Sequence, residues 1–164
     1  MLLHLEAAVI PEQKLLSAHL DVTPVEHFAR VPAHDMIGER IWLRTQGQLV
    51  VDYRATVEIT RLLTDCSTLE QLPPHLLPGE TVEYLLPSRY CPSDRFQNFV
   101  AVEFQGMQGG PLALAMRDWV HNHMAYVPGV SNTDTTAEDS FIRREGICRD
   151  YAHVLITLAR AAGI

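Results

Sequence analysis

Cys148 is the residue of this chain best placed to do chemistry. It stands in the run Gly-Ile-Cys-Arg-Asp-Tyr-Ala over residues 146–152, and apolar residues then recur at steps of three and four up to Ala162. This spacing predicts an amphipathic helix that begins near Cys148 and ends at Gly163. A thiol in the first turn of a helix faces unpaired backbone N–H groups and the positive end of the helix dipole, which favour the thiolate. The pattern therefore predicts that Cys148 is a nucleophile. The alternative is that it is a small apolar residue of the core, where free cysteines are more often found.

A second helix is predicted immediately before the cysteine. Thr136 is suited to cap a helix over residues 137–145, with Asp139 in its first turn. Gly146 is suited to a left-handed residue that ends this helix. The sequence therefore predicts a helix, a sharp glycine turn and then the cysteine.

Three further residues are candidates for supporting roles: Gly146, through the turn before the cysteine, Asp150 and Trp119. The carboxylate of Asp150 could orient a catalytic group, but an acidic residue in the first helical turn is favoured by the dipole alone, and we favour this capping role. Trp119 could border a substrate groove, but a tryptophan on an apolar helical stripe is more often part of the core.

The histidines offer no convincing general base. His153 lies five residues after Cys148, about 140° around the helix axis, so it cannot be the partner of the thiol. His121 and His123 are two residues apart on different faces of a predicted helix, so at most one could reach the cysteine. The others follow no pattern that indicates a site; they are His4, His19, His27, His34 and His75. Helical spacing also argues against a zinc site made by His121, His123, Cys148 and Asp150.

Composition narrows the class of protein. A net charge of -7 and the absence of a basic cluster argue against binding to nucleic acid. Three cysteines at long spacings suit a reducing compartment and indicate no metal site. We find no signal peptide, no membrane-spanning run and no phosphate-binding glycine loop, so we expect a cytoplasmic protein with no membrane partner, metal or cofactor.

The chain is predicted to have an α+β fold with two parts. Residues 1–90 have an antiparallel β-rich pattern, which suits a sheet or sandwich, and residues 91–164 have a helical one. The clearest strand is 49–60, predicted to form a hairpin with 39–44, and further strands are predicted at 2–9 and 19–22. Helices are predicted at 94–104, capped by Ser93, and at 111–126, opened by Pro111.

The cysteine segment resembles that of the transglutaminase-like superfamily, whose papain-like cores carry the pattern Gly-x-Cys-x-Asp-[Tyr/Phe]-Ala. Residues 146–152 match this pattern, and residues 160–164 resemble the Arg-Ala-x-Gly-Ile run that closes its helix. Upstream similarity extends to Trp119-Val120, Asn122, Tyr126, Thr135–Glu138 and the run Tyr84–Cys91. The resemblance implies that residues 91–164 are the first half of a transglutaminase-like core.

The same resemblance implies a Cys-His-Asp triad acting on a protein or peptide substrate. Cys148 would be the nucleophile, and its N–H would belong to the oxyanion hole. The family supplies its histidine and aspartate after the cysteine helix, and this sequence ends at Ile164, before either. We therefore expect residues 1–164 alone to be inactive. The alternative is a non-catalytic binding or assembly module, whose exposed core surface would favour self-association.

Overall fold

A computed structural model describes residues 1–32, 38–61 and 63–164, so His34 lies outside the described residues. The chain divides into two compact units, Met1–Thr64 and Asp65–Ile164. This division lies earlier than the boundary predicted between residues 90 and 91. The fold is mixed α and β, with antiparallel sheets in the first unit and most of the helix in the second.

In its described residues, the first unit contains two antiparallel sheets made from five strands. These are β1 (Leu2–Leu3), β2 (Gln13–Val22), β3 (His27–Val31), β4 (Arg40–Arg44) and β5 (Val51–Ile59). One sheet has the order β1-β4-β3 and the other pairs β2 with β5. Along β4 the side chains alternate, so that Ile41 and Leu43 are buried while Trp42 is exposed.

The predicted hairpin between residues 39–44 and 49–60 is wrong. β5 pairs with β2 from Val22↔Val51 to Gln13↔Ile59, and β4 lies between β1 and β3. The ten residues of β2 offer β5 a longer ladder of hydrogen bonds than the five residues of β4 could. The strand predicted at 2–9 is also shorter, since only Leu2–Leu3 is paired.

Four helices of the second unit surround its core. They are α1 (Gln97–Glu103), α2 (Gly109–His123), α3 (Ala137–Arg143) and α4 (Cys148–Ala162). A short parallel pair links them, made by β6 (Ala125–Tyr126) and β7 (Glu145–Gly146). Short 3-10 helices span Cys66–Thr68, Pro74–Leu76, Gly79–Leu85 and Ser93–Arg95. The core between the helices contains Phe96, Val100, Phe104, Leu112, Met116, Trp119, Val120, Met124, Ala137, Val154 and Leu158.

Two predicted helix ends differ from the structure. Ser93 does not cap α1, because it opens a 3-10 turn and the helix starts four residues later, at Gln97. α2 starts before Pro111 and ends at His123, since residues 125–126 are extended and pair with β7. The chain therefore leaves α2 toward the segment that precedes Cys148.

The start of α3 is as predicted, but its end is not. The Thr136 hydroxyl accepts a hydrogen bond from the Asp139 N–H at 3.3 Å, and the Asp139 carboxylate accepts one from the Thr136 N–H at 2.9 Å, a capping box. Arg144, with φ of 59°, is the left-handed residue that ends the helix, and Gly146 is not. Its guanidinium lies 4.6 Å from the ring centre of Trp119 and 4.5 Å from that of Phe141, which offsets the strain of this backbone conformation.

Residues 65–71 connect two helix ends. The Gly110 N–H at the start of α2 donates to the Leu69 carbonyl at 2.8 Å. A Cβ at Gly110 would lie 1.6 Å from the Cys66 carbonyl oxygen, so only glycine allows this approach. The Gln71 side chain donates to the Gly163 carbonyl at 3.0 Å, just past the end of α4. This segment therefore ties the start of α2 to the end of α4.

Within the described ranges, the length and hydropathy of every helix fall short of what a bilayer span requires.

Candidate active site

Cys148 is the first residue of α4, and its side chain is exposed. The parallel pair β6 and β7 fixes the backbone before it, because the Ala125 N–H donates to the Arg144 carbonyl at 2.8 Å and the Val127 N–H to the Gly146 carbonyl at 3.0 Å. Ile147 is extended and turns the chain into the helix. The structure thus presents the thiol at a fixed helix N-terminus.

Asp150 caps this helix from its first turn. Its side chain is 1% exposed, and its Oδ2 accepts a hydrogen bond from the Ile147 N–H at 2.9 Å. Its Oδ1 accepts from Nε and Nη2 of Arg149 at 3.3 and 3.0 Å. Burial acts to raise the pKa of this carboxyl, but the Ile147 N–H, the Ser131 hydroxyl and the Arg149 guanidinium together outweigh burial and leave the pKa below its usual range. Asp150 is therefore an ionised cap.

Gly146 is required by the packing of Asp150. A Cβ at Gly146 would lie 2.6 Å from the Asp150 Cβ. The glycine therefore gives the buried aspartate room to reach the Ile147 N–H. The sequence assigned Gly146 a left-handed turn; the structure assigns it a close contact.

Two backbone donors at the start of α4 have no acceptor among the described residues. The Ile147 N–H is taken by Asp150, and the N–H groups of Asp150 and Tyr151 donate to the Ile147 carbonyl at 2.9 and 3.1 Å. This leaves the N–H groups of Cys148 and Arg149. A thiolate beside two free N–H groups at the positive end of a helix can form an acyl intermediate and stabilise its oxyanion.

The turn over residues 132–135 lies beside the start of α4 and is anchored from two sides. Arg149 Nη2 donates to the Asn132 carbonyl at 2.8 Å, and the Tyr90 hydroxyl donates to the Thr133 carbonyl at 2.8 Å. Within the loop, the Asp134 N–H donates to Asn132 Oδ1 at 2.8 Å, which is an Asx turn. The contact with Arg149 could not be predicted, because a loop sequence specifies its own turns and not the element it docks on.

Two tyrosines lie beside the start of α4. Tyr151 follows Cys148 by three residues, on the same helical face, and its hydroxyl donates to the Met124 carbonyl at 2.7 Å. Tyr126, 61% exposed, has its ring centre 6.3 Å from that of Tyr151. The sequence gives no signal for this pair, because it depends on the parallel pairing of β6 with β7, which brings Tyr126 beside α4.

Residues 103–164 match the model of the family described as the transglutaminase-like superfamily. This match contains the cysteine, its capping aspartate and the helix that carries both. These residues belong to the transglutaminase-like superfamily. Within the second unit, the match thus covers α2, α3 and α4, and α4 packs on both of the other two.

A solved structure has the same fold over nearly the whole chain. It is described as a "Putative Cysteine Protease from Cytophaga hutchinsonii", with a TM-score of 0.89 and 31% sequence identity. The match covers 99% of this chain and 58% of that one, so this chain spans little more than half the length of the protein it resembles. None of the curated proteins compared matches the chain.

The histidines of the second unit with described contacts are engaged away from the thiol. His153 stacks on Tyr90, with ring centres 5.5 Å apart. His123 stacks on Trp119 at 4.5 Å, and its Nδ1 lies 2.8 Å from the Trp119 carbonyl. His121 is exposed on α2. The described contacts of His123 and His153 are therefore with Trp119 and Tyr90 and not with Cys148.

Trp119 lies in the core rather than at the site. It is 7% exposed and stacks against Phe141, with ring centres 5.2 Å apart. Its effect on Cys148 can come only through the packing of α2 and α3. Among the described residues, no group of three or more His, Cys, Asp or Glu side chains is arranged to hold a metal ion.

Proposed function

We propose that Cys148 is the nucleophile of a transglutaminase-like cysteine hydrolase or acyltransferase that acts on the amide or acyl carbon of a protein or peptide substrate. The observation that carries this proposal is an exposed thiol on the first residue of α4, beside two backbone N–H groups without an acceptor among the described residues. The family to which residues 103–164 belong supports it.

The reaction follows from this geometry. The thiolate of Cys148 attacks the carbonyl carbon, a C–S bond forms, and the carbonyl oxygen takes the electron pair as an oxyanion that accepts the Cys148 N–H. Collapse of this intermediate breaks the C–N bond, and the amine leaves with a proton from a general acid. Water or a second amine then cleaves the thioester, which restores the thiol and completes hydrolysis or acyl transfer.

The general acid and base are the parts that residues 1–164 lack in this proposal. His123 and His153 are engaged with Trp119 and Tyr90. Since loss of the base costs several orders of magnitude in triad enzymes, we expect negligible turnover from residues 1–164 alone. Turnover requires that a histidine and an aspartate reach Cys148.

A non-catalytic binding or assembly module is the second candidate. It is favoured by an apolar cavity of about 620 Å³ in the second unit, with exposed leucines at its edge.

Alkylation of Cys148 tests the proposed nucleophile without requiring turnover. We expect iodoacetamide to modify Cys148 about tenfold faster at pH 7 than it modifies a cysteine in an unstructured peptide, because the sulfur is exposed at a helix N-terminus beside two backbone N–H groups. Mass spectrometry of the digested protein would give the rate at each cysteine separately, with buried Cys91 as an internal reference. A rate at Cys148 no higher than that of the peptide would contradict the proposal.

A further inference from the structure

The guanidinium of Arg149 joins two elements of the site. Nε and Nη2 donate to Asp150 Oδ1 at 3.3 and 3.0 Å, and Nη2 also donates to the Asn132 carbonyl at 2.8 Å. Asp150 is in the first turn of α4 and Asn132 opens the turn over residues 132–135. One side chain therefore connects the start of the cysteine helix to the loop beside it.

We propose that Arg149 is a positioning residue of the cysteine site, which holds the 132–135 turn against the start of α4 and offsets the charge of Asp150 next to Cys148. This inference rests on the proposed function, because it assigns Arg149 a role in the reactivity of that thiol. It adds a residue that neither the family match nor the sequence pattern assigns to the site.

The Asp150 carboxylate is much more buried than the guanidinium that pairs with it. The Asp150 side chain is 1% exposed, whereas that of Arg149 is 35% exposed. An ionised carboxylate in this position, two residues from Cys148 and in the same helical turn, opposes a thiolate by like-charge repulsion and weakens the benefit of the helix dipole. The guanidinium on Oδ1 offsets this negative charge, and an unpaired buried carboxylate would destabilise the fold.

The turn over residues 132–135 is held by hydrogen bonds within it and by bonds to neighbouring segments. The turn has internal hydrogen bonds, since the Asn132 N–H donates to Thr135 Oγ1 at 3.0 Å and the Asp134 N–H donates to Asn132 Oδ1. Tyr90 and Arg89 hold its other side, with Arg89 Nη2 donating to Asp134 Oδ1 at 3.0 Å. These contacts fix the shape of the turn and its link to residues 89–90. On the side of α4, Arg149 donates to the Asn132 carbonyl, and the Ser131 hydroxyl lies close enough to Asp150 to lower the pKa of its carboxyl.

The geometry requires arginine. Its planar fork donates from two nitrogens to one carboxylate oxygen and to a carbonyl at once, whereas a lysine offers one compact ammonium. A lysine at this position keeps the charge but cannot make all three contacts. Charge and tether are therefore separable by substitution.

The experiment uses residues 1–164 with four variants and two measurements. The variants are Arg149→Met, Arg149→Lys, the double variant Arg149→Met/Asp150→Asn, and Arg160→Met. The last is the matched control, since Arg160 is on the same helix and its described hydrogen bond goes to Ser88 Oγ at 3.2 Å and not to residues 132–135. The measurements are amide hydrogen exchange in peptides covering residues 127–136 and the iodoacetamide rate at Cys148 across pH.

We expect Arg149→Met to speed exchange in residues 127–136 by about tenfold, with the amides of α2 unchanged. It should slow alkylation of Cys148 at pH 7 by about threefold or more, because the buried carboxylate is left unpaired. Arg149→Lys should restore most of the alkylation rate but not the protection of the turn. Arg160→Met should change neither quantity.

The double variant keeps the proposal testable where Arg149→Met fails to fold. It removes the unpaired charge and the tether together, so it should recover the alkylation rate and still exchange rapidly in residues 127–136. Exchange of the turn at the wild-type rate in this variant would overturn the tether, and an unchanged alkylation rate in Arg149→Met would overturn the charge role. Wild-type alkylation no faster than that of a free thiol would instead refute the proposed function, and the exchange measurement would still decide the tether.

Discussion

The three cysteines of the chain have three different environments. Cys91 is buried, Cys66 is half-buried with its sulfur 4.0 Å from the Gly110 carbonyl oxygen, and Cys148 is exposed at a helix start. All carry the same thiol, so their chemistry depends on what surrounds each sulfur. Cys148 differs from the other two in the backbone around its sulfur, and this backbone makes it the candidate nucleophile.

His153 is the histidine whose surroundings disfavour its charged form most clearly. Burial lowers its pKa, and the positive charge of Arg149 lowers it further, against the opposing effect of Asp150. Tyr90, in the segment before α1, packs on the His153 ring, and the buried Nδ1 of His153 has no hydrogen-bond partner among the described residues. Protonation would therefore put a second cation beside Arg149 without an acceptor for the new N–H.

We expect the stability of the protein to fall as pH drops below about 6.5, the ordinary value for histidine. The folded state holds the pKa of His153 below its unfolded value, so this stabilisation is complete above the unfolded pKa and is lost as pH falls through the folded one. One proton changes the free energy of unfolding by at most about 1.4 kcal/mol per pH unit. Urea unfolding from pH 4.5 to 7.5 would measure it.

His153→Phe is the matched variant for this measurement. It keeps a ring against Tyr90 and removes the titrating group, so its stability should depend less on pH than that of the wild type. Equal pH dependence in the two proteins would show that other groups account for the loss.

At the scale of elements, the start of α2 and the end of α4 share a single connection. Residues 65–71 pass so close to α2 that Gly109 and Gly110 have no room for a side chain. Gln71 then reaches the Gly163 carbonyl past the end of α4. The helix that carries Cys148 is therefore fixed at its far end by a segment with little regular structure.

Gly110→Ala should destabilise the second unit by about 3 kcal/mol. The new Cβ would lie 1.6 Å from the Cys66 carbonyl oxygen and 2.8 Å from its carbon, both of them backbone atoms that cannot move aside. Thermal or urea unfolding would measure the loss. Gly79→Ala is the control, because a Cβ there has no atom within 4 Å, and it should change stability by less than about 0.5 kcal/mol.

Local patterns predicted the helices well and the sheet pairings poorly. The limits of α4 and the Thr136 cap follow from residues within one or two turns, so the sequence contains the information. The pairing of β5 with β2 depends on which distant strand can form more hydrogen bonds with β5. The alternation of apolar and polar residues within β5 does not specify that partner.

The site was partly predictable for the same reason. The exposed cysteine and its capping aspartate are local to α4, whereas Arg149–Asn132 and Tyr126–Tyr151 arise from the packing of separate segments. The left-handed Arg144 was missed because glycine is the usual residue in that conformation. Its stabilisation comes from Trp119, a residue 25 positions earlier in the chain.

At the scale of the whole molecule, the two units differ in how much core they contain. Among the described residues, the fully buried apolar side chains of the first unit are Ile41 and Leu43, while the second unit has a core between four helices. The candidate site stands entirely on the second unit. The same unit contains the apolar cavity of about 620 Å³, lined by Leu69, Leu72, Leu77, Tyr84, Leu85 and Ile164 among others.

We expect residues 1–164 to self-associate through this cavity at high concentration, because burying its leucines removes apolar surface from water. Leu72→Glu should shift the protein toward monomer in sedimentation velocity. Leu86→Glu is the matched control, since Leu86 is 57% exposed against 56% for Leu72 but does not line the cavity. A wild-type protein that stays monomeric at high concentration, or equal effects of the two variants, would contradict this expectation.

The contact between Gly146 and Asp150 also limits how this segment can vary during evolution. A side chain at position 146 would meet the Asp150 Cβ at 2.6 Å and displace the cap of α4, so the first residue of the Gly-x-Cys-x-Asp pattern is not free while the last one is kept. A side chain at position 146 therefore costs the cap of α4 for as long as Asp150 is present. The glycine and the aspartate on either side of Cys148 thus depend on each other, whatever the substrate.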